Sequence, residues 1–361
     1  MTIREFISRF DWPVFVLSIF LVSCGLITFR IINPENQSFF YRQFLFLGIG
    51  AVLMIVVSLL DYRIFKNYSA ASLIFFLFSL LLLIIVLASK EIRGASSWLN
   101  FFGFRLEPSE FAKLALVVVL AKYFSQKHVE IYRAQHIIAS ALYAGTPIVL
   151  TLLQPDLGST LVFIAIWLGM LLFAGIKRTH LIGLIMMFVV ICSLAWLVAL
   201  KPYQKNRILT FLNPASDPRG SGYNSIQSQT TFGSGRITGT FLKQGDQSLK
   251  VLVPEPYTDF TFAAFGQKFG FLGISILFVA FFALVARVIS IIRKANNNFA
   301  KLFGLGFLTI VFVHLMVNGG MNLGISPITG IPFPFLSYGG SHLIMLFLAL
   351  GFIQSIRLRT T

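Results

Sequence analysis

Apolar residues run along this chain in long blocks separated by short polar punctuation. Ten blocks stand out, roughly 12–30, 43–60, 70–88, 109–124, 138–153, 157–174, 181–200, 265–286, 302–322 and 338–356. Their length approaches the ~20 residues with which a helix crosses the hydrocarbon core of a bilayer. Helices and closed barrels are the structures that satisfy the backbone there, and these blocks are far too long for barrel strands. The pattern predicts an all-α, polytopic integral membrane protein of about ten transmembrane helices. Residues 1–361 then form a single transmembrane domain, and 201–264 a large extracellular loop between the seventh and eighth spans.

Composition removes the soluble alternative. Hydrophobic residues are 57% of the chain and charged residues 12%, with a mean hydropathy of +0.83, more apolar surface than a soluble chain of 361 residues can hide. Arg4 and Arg9 precede the first block as they would a signal peptide. That block is longer than a signal core, lacks a following A-x-A site and leads straight into further spans, so it reads as an uncleaved first helix. Cys24 and Cys192 lie inside apolar blocks, in no metal-binding spacing.

The net charge of +16 raises nucleic acid as a partner. No soluble segment carries a basic stripe with interleaved aromatics, so that class is set aside. The positive-inside rule accounts for the charge better. With the N-terminus inside, one set of loops holds Arg63, Lys66, Lys122, Lys127, Arg133, Lys177, Arg178, Arg287, Arg293 and Lys294, among others. The short loops of the opposite set hold Arg30, Arg42, Lys90, Arg93 and Arg105. This asymmetry, with an even number of spans, puts both termini in the cytoplasm. The 201–264 segment departs from the short outer loops: it is polar, and it carries Lys201, Lys205, Arg207, Arg219, Arg236, Lys243 and Lys250. A connection of this length is functional or disordered, and its charge suits either an anionic ligand or plain solvation.

Charges within or at the edge of membrane helices are functional candidates. Pro108-Ser109-Glu110 opens the fourth span, and Glu110 and Lys113 share a helix face. They form either a structural ion pair or a ligand site in which Lys113 holds an anion and Glu110 orients it. Asp156, in Gln154-Pro155-Asp156-Leu157-Gly158, either caps the sixth span or pairs with Lys113. Asp259, in Pro254-Glu255-Pro256-Tyr257-Thr258-Asp259-Phe260, lies where partial desolvation would make it a better base, with a helix cap as the plain alternative. Glu255 beside it suggests a glycosidase-like pair only weakly, because loop spacing fixes no carboxylate distance. The Pro- and Gly-rich run Pro332 to Ser341, with Ser337 inside it, requires irregular backbone covered by protein or facing a cavity. Gly233-Ser234-Gly235-Arg236 lacks the context of a phosphate loop, and His128, His136, His180, His314 and His342 are scattered without metal-ligand spacing.

Taken in order, Arg93-Gly94-Ala95 with Trp98, Pro108-Ser109-Glu110 with Lys113, the Gln154 to Gly158 run, Pro254-Glu255 with Thr258-Asp259-Phe260, and the Pro332 to Ser341 run resemble the SEDS family (shape, elongation, division and sporulation proteins) over essentially the whole chain. Gly245-Asp246-Gln247-Ser248 is more similar to its elongation branch than to its division branch, and Gln267-Lys268 stand where relatives carry acidic residues. The resemblance implies a peptidoglycan glycosyltransferase that polymerises lipid II into β-1,4-linked glycan at the outer face of the bacterial cytoplasmic membrane. Its partners would be lipid II, a class B penicillin-binding protein and membrane lipids, with no nucleic acid. It implies Asp259 as the general base of an inverting reaction, and Arg93, Lys113, Glu110, Asp156, Glu255, Thr258 and Ser337 as substrate-binding residues. A divalent cation, magnesium or manganese, is the cofactor expected to help offset the diphosphate charge; no organic cofactor is expected. The alternatives are a lipid II flippase and a non-catalytic scaffold for a transpeptidase.

Overall fold

Short polar residues start the helices that the apolar blocks fill. The computed structural model describes residues 3–35, 37–88, 98–101, 104–127, 133–199, 205, 209–214, 221–241 and 253–360. In it the Asp11 and Asp156 carboxylates accept from the amides of Val14 (3.3 Å) and Ser159 (2.9 Å), and the Asn297 side chain accepts from Ala300 (2.9 Å). Each bond satisfies an amide that the first helical turn leaves without a partner.

The elements in chain order are α1 Ile3–Arg9, α2 Trp12–Ile32, α3 Ser38–Leu59, α4 Arg63–Asn67, α5 Ser69–Leu87, the strands β1 Leu99–Phe101 and β2 Phe104–Leu106, α6 Pro108–Lys127, α7 Ala134–Leu153, α8 Leu157–Ala174 and α9 Arg178–Leu194. They continue with α10 Ser221–Ser234, α11 Thr261–Lys294, α12 Asn298–Leu323 and α13 Gly340–Leu358. Among the described residues the antiparallel β1–β2 hairpin is the one sheet, so the chain is nearly all helical as expected.

Among the described residues eight helices (α2, α3, α5, α7, α8, α11, α12 and α13) are long and apolar enough to cross a membrane. The fourth and seventh expected spans fall on α6 and α9. Helix α6 carries Glu110, Lys113, Lys122 and Lys127 and is buried almost throughout, so its charges near Glu110 face protein rather than lipid. Helix α9 is shorter and runs on as a π-helical turn, Ala195–Ala199. Burial orders the bundle from centre to edge: 83% of the α13 span is buried, against 28% for α5. Helix α13 packs along α3, and α6 along α5, α8 and α12.

Both ends of the chain meet at one face. Gln354 on α13 accepts from the Asp11 amide (2.9 Å) and donates to the Asp11 carbonyl (2.8 Å), while Arg287 pairs with the Asp11 carboxylate (2.8 Å). Arg359 donates to the Ser58 and Leu59 carbonyls at the end of α3 (3.1 and 2.6 Å), which a helix leaves unpaired. Asp259 precedes α11 and Arg287 lies near its other end, so the two are separated by about 40 Å of helix.

Two features depart from the sequence expectation. Residues 221–234 of the 201–264 segment are helical: α10 packs on α11 and α12, and Ser228 donates to the Asn322 carbonyl (3.0 Å). The eighth span begins earlier than expected and is broken at Gly270 (φ 63°, ψ −165°). The backbone groups freed by the break are taken up by residues 236–241. Thr240 and Phe241 amides donate to the Gln267 and Lys268 carbonyls (3.0 Å each), and Phe271 and Leu272 amides donate to Arg236 and Ile237 (2.9 and 3.1 Å). This splice requires glycine, since a Cβ at Gly239 would lie 2.1 Å from the Lys268 carbonyl oxygen and one at Gly270 2.3 Å from the Gly239 nitrogen. Gly239→Ala and Gly270→Ala should each destabilise by about 1–3 kcal/mol or more, through strain at positive φ and backbone overlap. Gly183→Ala, with open space around it, should not. Thermal unfolding in detergent micelles checks this, and an unshifted midpoint for Gly270→Ala would refute the splice.

Candidate functional site

The segment before α11 is a tight turn. Glu255 adopts φ 51°, and its carbonyl accepts from the Thr258 and Phe260 amides (3.3 Å each). The Tyr257 ring stacks on Phe39 at 4.4 Å and meets Phe29 edge-on at 5.7 Å, and its carbonyl accepts from the Tyr338 amide (2.7 Å). The turn is thereby pinned to α2, α3 and the loop before α13. Thr261 donates to the Thr258 carbonyl (3.2 Å). The helix-capping position falls on Phe260, one residue after Asp259. Asp259 is half-buried, and a Cβ at Gly330 would lie 4.0 Å from its Oδ2, so the loop at Gly330 lines one side of the carboxylate.

A row of polar side chains on α12 fixes the Asp259 backbone. Asn318 donates to the carbonyls of Asp259 (3.1 Å) and Ile331 (2.7 Å), and Asn322 donates to the Asp259 carbonyl (3.0 Å) and accepts from the Ala263 amide (3.0 Å). His314, one turn earlier, donates from Nδ1 to the Pro332 carbonyl (3.1 Å). Residues 314, 318 and 322 share a face because four residues make slightly more than one turn, about 6 Å. Sequence reasoning passed over this row, though a polar stripe at that spacing in an apolar helix was its signal.

The row leads into a buried cluster. Lys113, 1% exposed, donates to Glu110 Oε1 (2.8 Å) and approaches His314 Nε2 (3.4 Å). The Pro332 carbonyl requires the proton on Nδ1 of His314, which leaves Nε2 a lone pair for the ammonium. His342 donates from Nδ1 to Glu110 Oε2 (2.9 Å) and stacks on His314 with ring centroids 4.5 Å apart. The expectation of scattered histidines is therefore corrected for this pair. Three helices bring His314, His342 and Glu110 within 4.8 Å at their ligand atoms, a set with metal-ligand chemistry among the described residues. It does not fit a divalent ion, because the Lys113 ammonium already lies between the carboxylate and His314 and would repel one at contact distance.

Asp156 resolves as the cap of α8, while Glu110 is the carboxylate in contact with Lys113. Beside it, Ser159 donates to Ser109 (3.2 Å), Ser109 to Glu107 (2.8 Å), and the Glu107 amide to Ser341 (2.9 Å). Burial first and the Glu110 charge second push the Glu107 carboxyl up to about 8, so it is largely protonated at neutral pH. Ser337 serves its own loop: its hydroxyl accepts from the Phe333 amide (3.1 Å) and its carbonyl from Gln43 (3.2 Å). Arg93 and Gly245-Asp246-Gln247-Ser248 lie outside the described residues, as do Lys201, Arg207, Arg219, Lys243 and Lys250 of the basic segment.

Residues 10–361 match the family model FtsW/RodA/SpoVE, described as "Cell cycle protein". The chain is 32% identical to stage V sporulation protein E of Bacillus subtilis, over 96% of each chain. It is 33% identical to peptidoglycan glycosyltransferase MrdB of Escherichia coli, over 86% of this chain and 83% of that one. Its fold superposes with a TM-score of 0.82 on a chain of a solved peptidoglycan synthase complex, at 29% identity over 96% and 97% of the two chains. The rod shape determining protein RodA of Thermus thermophilus gives 0.71 at 28% identity, over 96% of both.

Proposed function

Because this chain belongs to the FtsW/RodA/SpoVE family of membrane proteins, we propose that it is a peptidoglycan glycosyltransferase that polymerises lipid II. The observation that carries the reading is Asp259 itself, a half-buried carboxylate on a turn whose carbonyl is clamped by two asparagines. In this reaction a sugar hydroxyl of the acceptor attacks the anomeric carbon of a donor that carries a lipid diphosphate. The C–O bond to the diphosphate breaks as the new glycosidic bond forms, and Asp259 takes the hydroxyl proton. A single base with no covalent intermediate inverts the α-linked donor to a β-linked product, which agrees with one prominent acid rather than a close carboxylate pair.

Basic residues of the 201–264 segment, Lys205 and Arg236 among those described, and Arg93 of a short loop supply charge for the leaving diphosphate. Lys113 acts indirectly in this reading, since its ammonium is spent on Glu110 and His314. The asymmetry of loop charge supports an orientation with both termini in the cytoplasm and Asp259 at the outer face of the cytoplasmic membrane. The likeness to a chain of a peptidoglycan synthase complex supports a class B penicillin-binding protein as partner, and the likeness to RodA supports a role in elongation.

The test supplies purified protein and partner with labelled lipid II and resolves the glycan on a gel. Polymer is expected. Lipid II moving between leaflets without polymer would establish the flippase instead, and neither activity would leave the scaffold. The clamp makes a finer prediction. Asn318→Ala and Asn322→Ala should lower kcat about 10- to 100-fold with KM nearly unchanged, because a displaced base loses alignment without losing substrate contacts. Steady-state polymerisation kinetics would reject the clamp if KM alone rose.

A further inference from the structure

Two lysines stand side by side at the face where both chain ends meet. Lys122, near the end of α6, is 6% exposed and donates from Nζ to the Lys66 carbonyl in the last turn of α4. Lys66 carries its own ammonium on the surface, close enough for the two charges to repel. We propose that this pair binds one anionic phospholipid of the adjoining leaflet, whose phosphate bridges the two ammoniums. The pair lies at the other end of the bundle from Asp259, and the proposal does not depend on the glycosyltransferase reading.

Four observations carry it. Like charges held together are unfavourable, and an anion between them reverses the sign of the interaction. Among the described residues no carboxylate pairs with either lysine: on this face Asp11 is taken by Arg287 and Asp61 by Arg359 (2.8 and 3.4 Å). The cations are also held in place. The bond to the Lys66 carbonyl fixes Lys122 and leaves two of its three N–H donors for a ligand. Helix α4 is pinned by Phe65, which packs on Phe75 and Phe352 (5.9 and 5.6 Å) and whose carbonyl accepts from Ser72 (2.9 Å). A phosphate thus meets two ammoniums that need little further ordering. Finally, α5 begins three residues after Lys66 and only 28% of its span is buried, so lipid lies directly alongside. Basic pockets between membrane helices hold anionic headgroups in this way, and acyl chains keep such a ligand at hand where a free anion would diffuse off.

Native mass spectrometry of the full chain, released from micelles holding equal amounts of phosphatidylglycerol and phosphatidylcholine, counts what stays bound. Phosphatidylglycerol should be retained in preference to phosphatidylcholine. Lys66→Gln should cut that retention about tenfold, as loss of a charge-assisted contact does, while Lys66→Arg keeps most of it. Thermal unfolding of Lys66→Gln without anionic lipid should match the wild type, because the side chain is exposed. Lys122→Gln should lose at least as much retention, and Lys66→Gln decides the matter if Lys122→Gln fails to fold. Lys294→Gln removes the same charge from an exposed position on the same face and should retain lipid as the wild type does. Equal retention of the two lipids, an equal loss in Lys66→Gln and Lys294→Gln, or displacement of phosphatidylglycerol by inorganic phosphate would each overturn the proposal. The first would remove the preference for an anionic lipid, the second would reduce it to diffuse attraction by the whole face, and the third would make the ligand a free anion.

Discussion

Asp259→Asn is expected to fold as the wild type does and to lose about 10²- to 10⁴-fold of its polymerisation rate, the share a positioned general base contributes. The substitution keeps the side-chain shape and removes proton affinity. The two clamping bonds from Asn318 and Asn322 go to the backbone carbonyl of residue 259, which the substitution leaves in place. Thermal unfolding should therefore stay near the wild-type midpoint while glycan disappears from the gel. Equal polymer from both proteins would remove Asp259 from the mechanism.

The second large effect concerns stability. Glu110 and Lys113 are each 1% exposed and pair at 2.8 Å, with His342 bonded to the other carboxylate oxygen. Lys113→Met strands a buried carboxylate and Glu110→Gln a buried ammonium, and each should destabilise by about 3–5 kcal/mol. The double variant should be much closer to wild type, because both charges leave together. The four proteins of this cycle, compared by thermal unfolding in one detergent, measure the coupling. A Lys113→Met protein that melts with the wild type would show that the pair contributes nothing to the fold.

The pair itself was legible: a Glu and a Lys three apart at the start of an apolar helix must meet on one face. At Asp156 the sequence left two readings open, and the local geometry of a cap prevailed over a longer reach to Lys113. The histidines were not legible as a pair. His314 and His342 lie on different helices and Glu110 is some two hundred residues away from both, so no spacing along the chain encodes their contact. The break at Gly270 was equally hidden, since one glycine in an apolar run is compatible with an unbroken helix. What breaks it is the segment 236–241, which offers the freed carbonyls and amides new partners. Helix α10 looked like polar loop because Ser, Gln and Thr carry no apolar stripe; its order comes from packing on α11 and α12.

By itself, then, the sequence determined that this protein lives in a membrane, roughly where its helices run, and which acids are worth attention. Those follow from bilayer thickness, the cost of exposed backbone in hydrocarbon and the pairing of neighbours one turn apart, all of which act locally along the chain. Only the tertiary structure decided that Asp259 is held by its carbonyl from α12, and that Lys113 is enclosed by Glu110 and His314. Each of these joins residues from separate helices, and helix packing, a matter of shape and satisfied polar groups across the bundle, is what sets their distances.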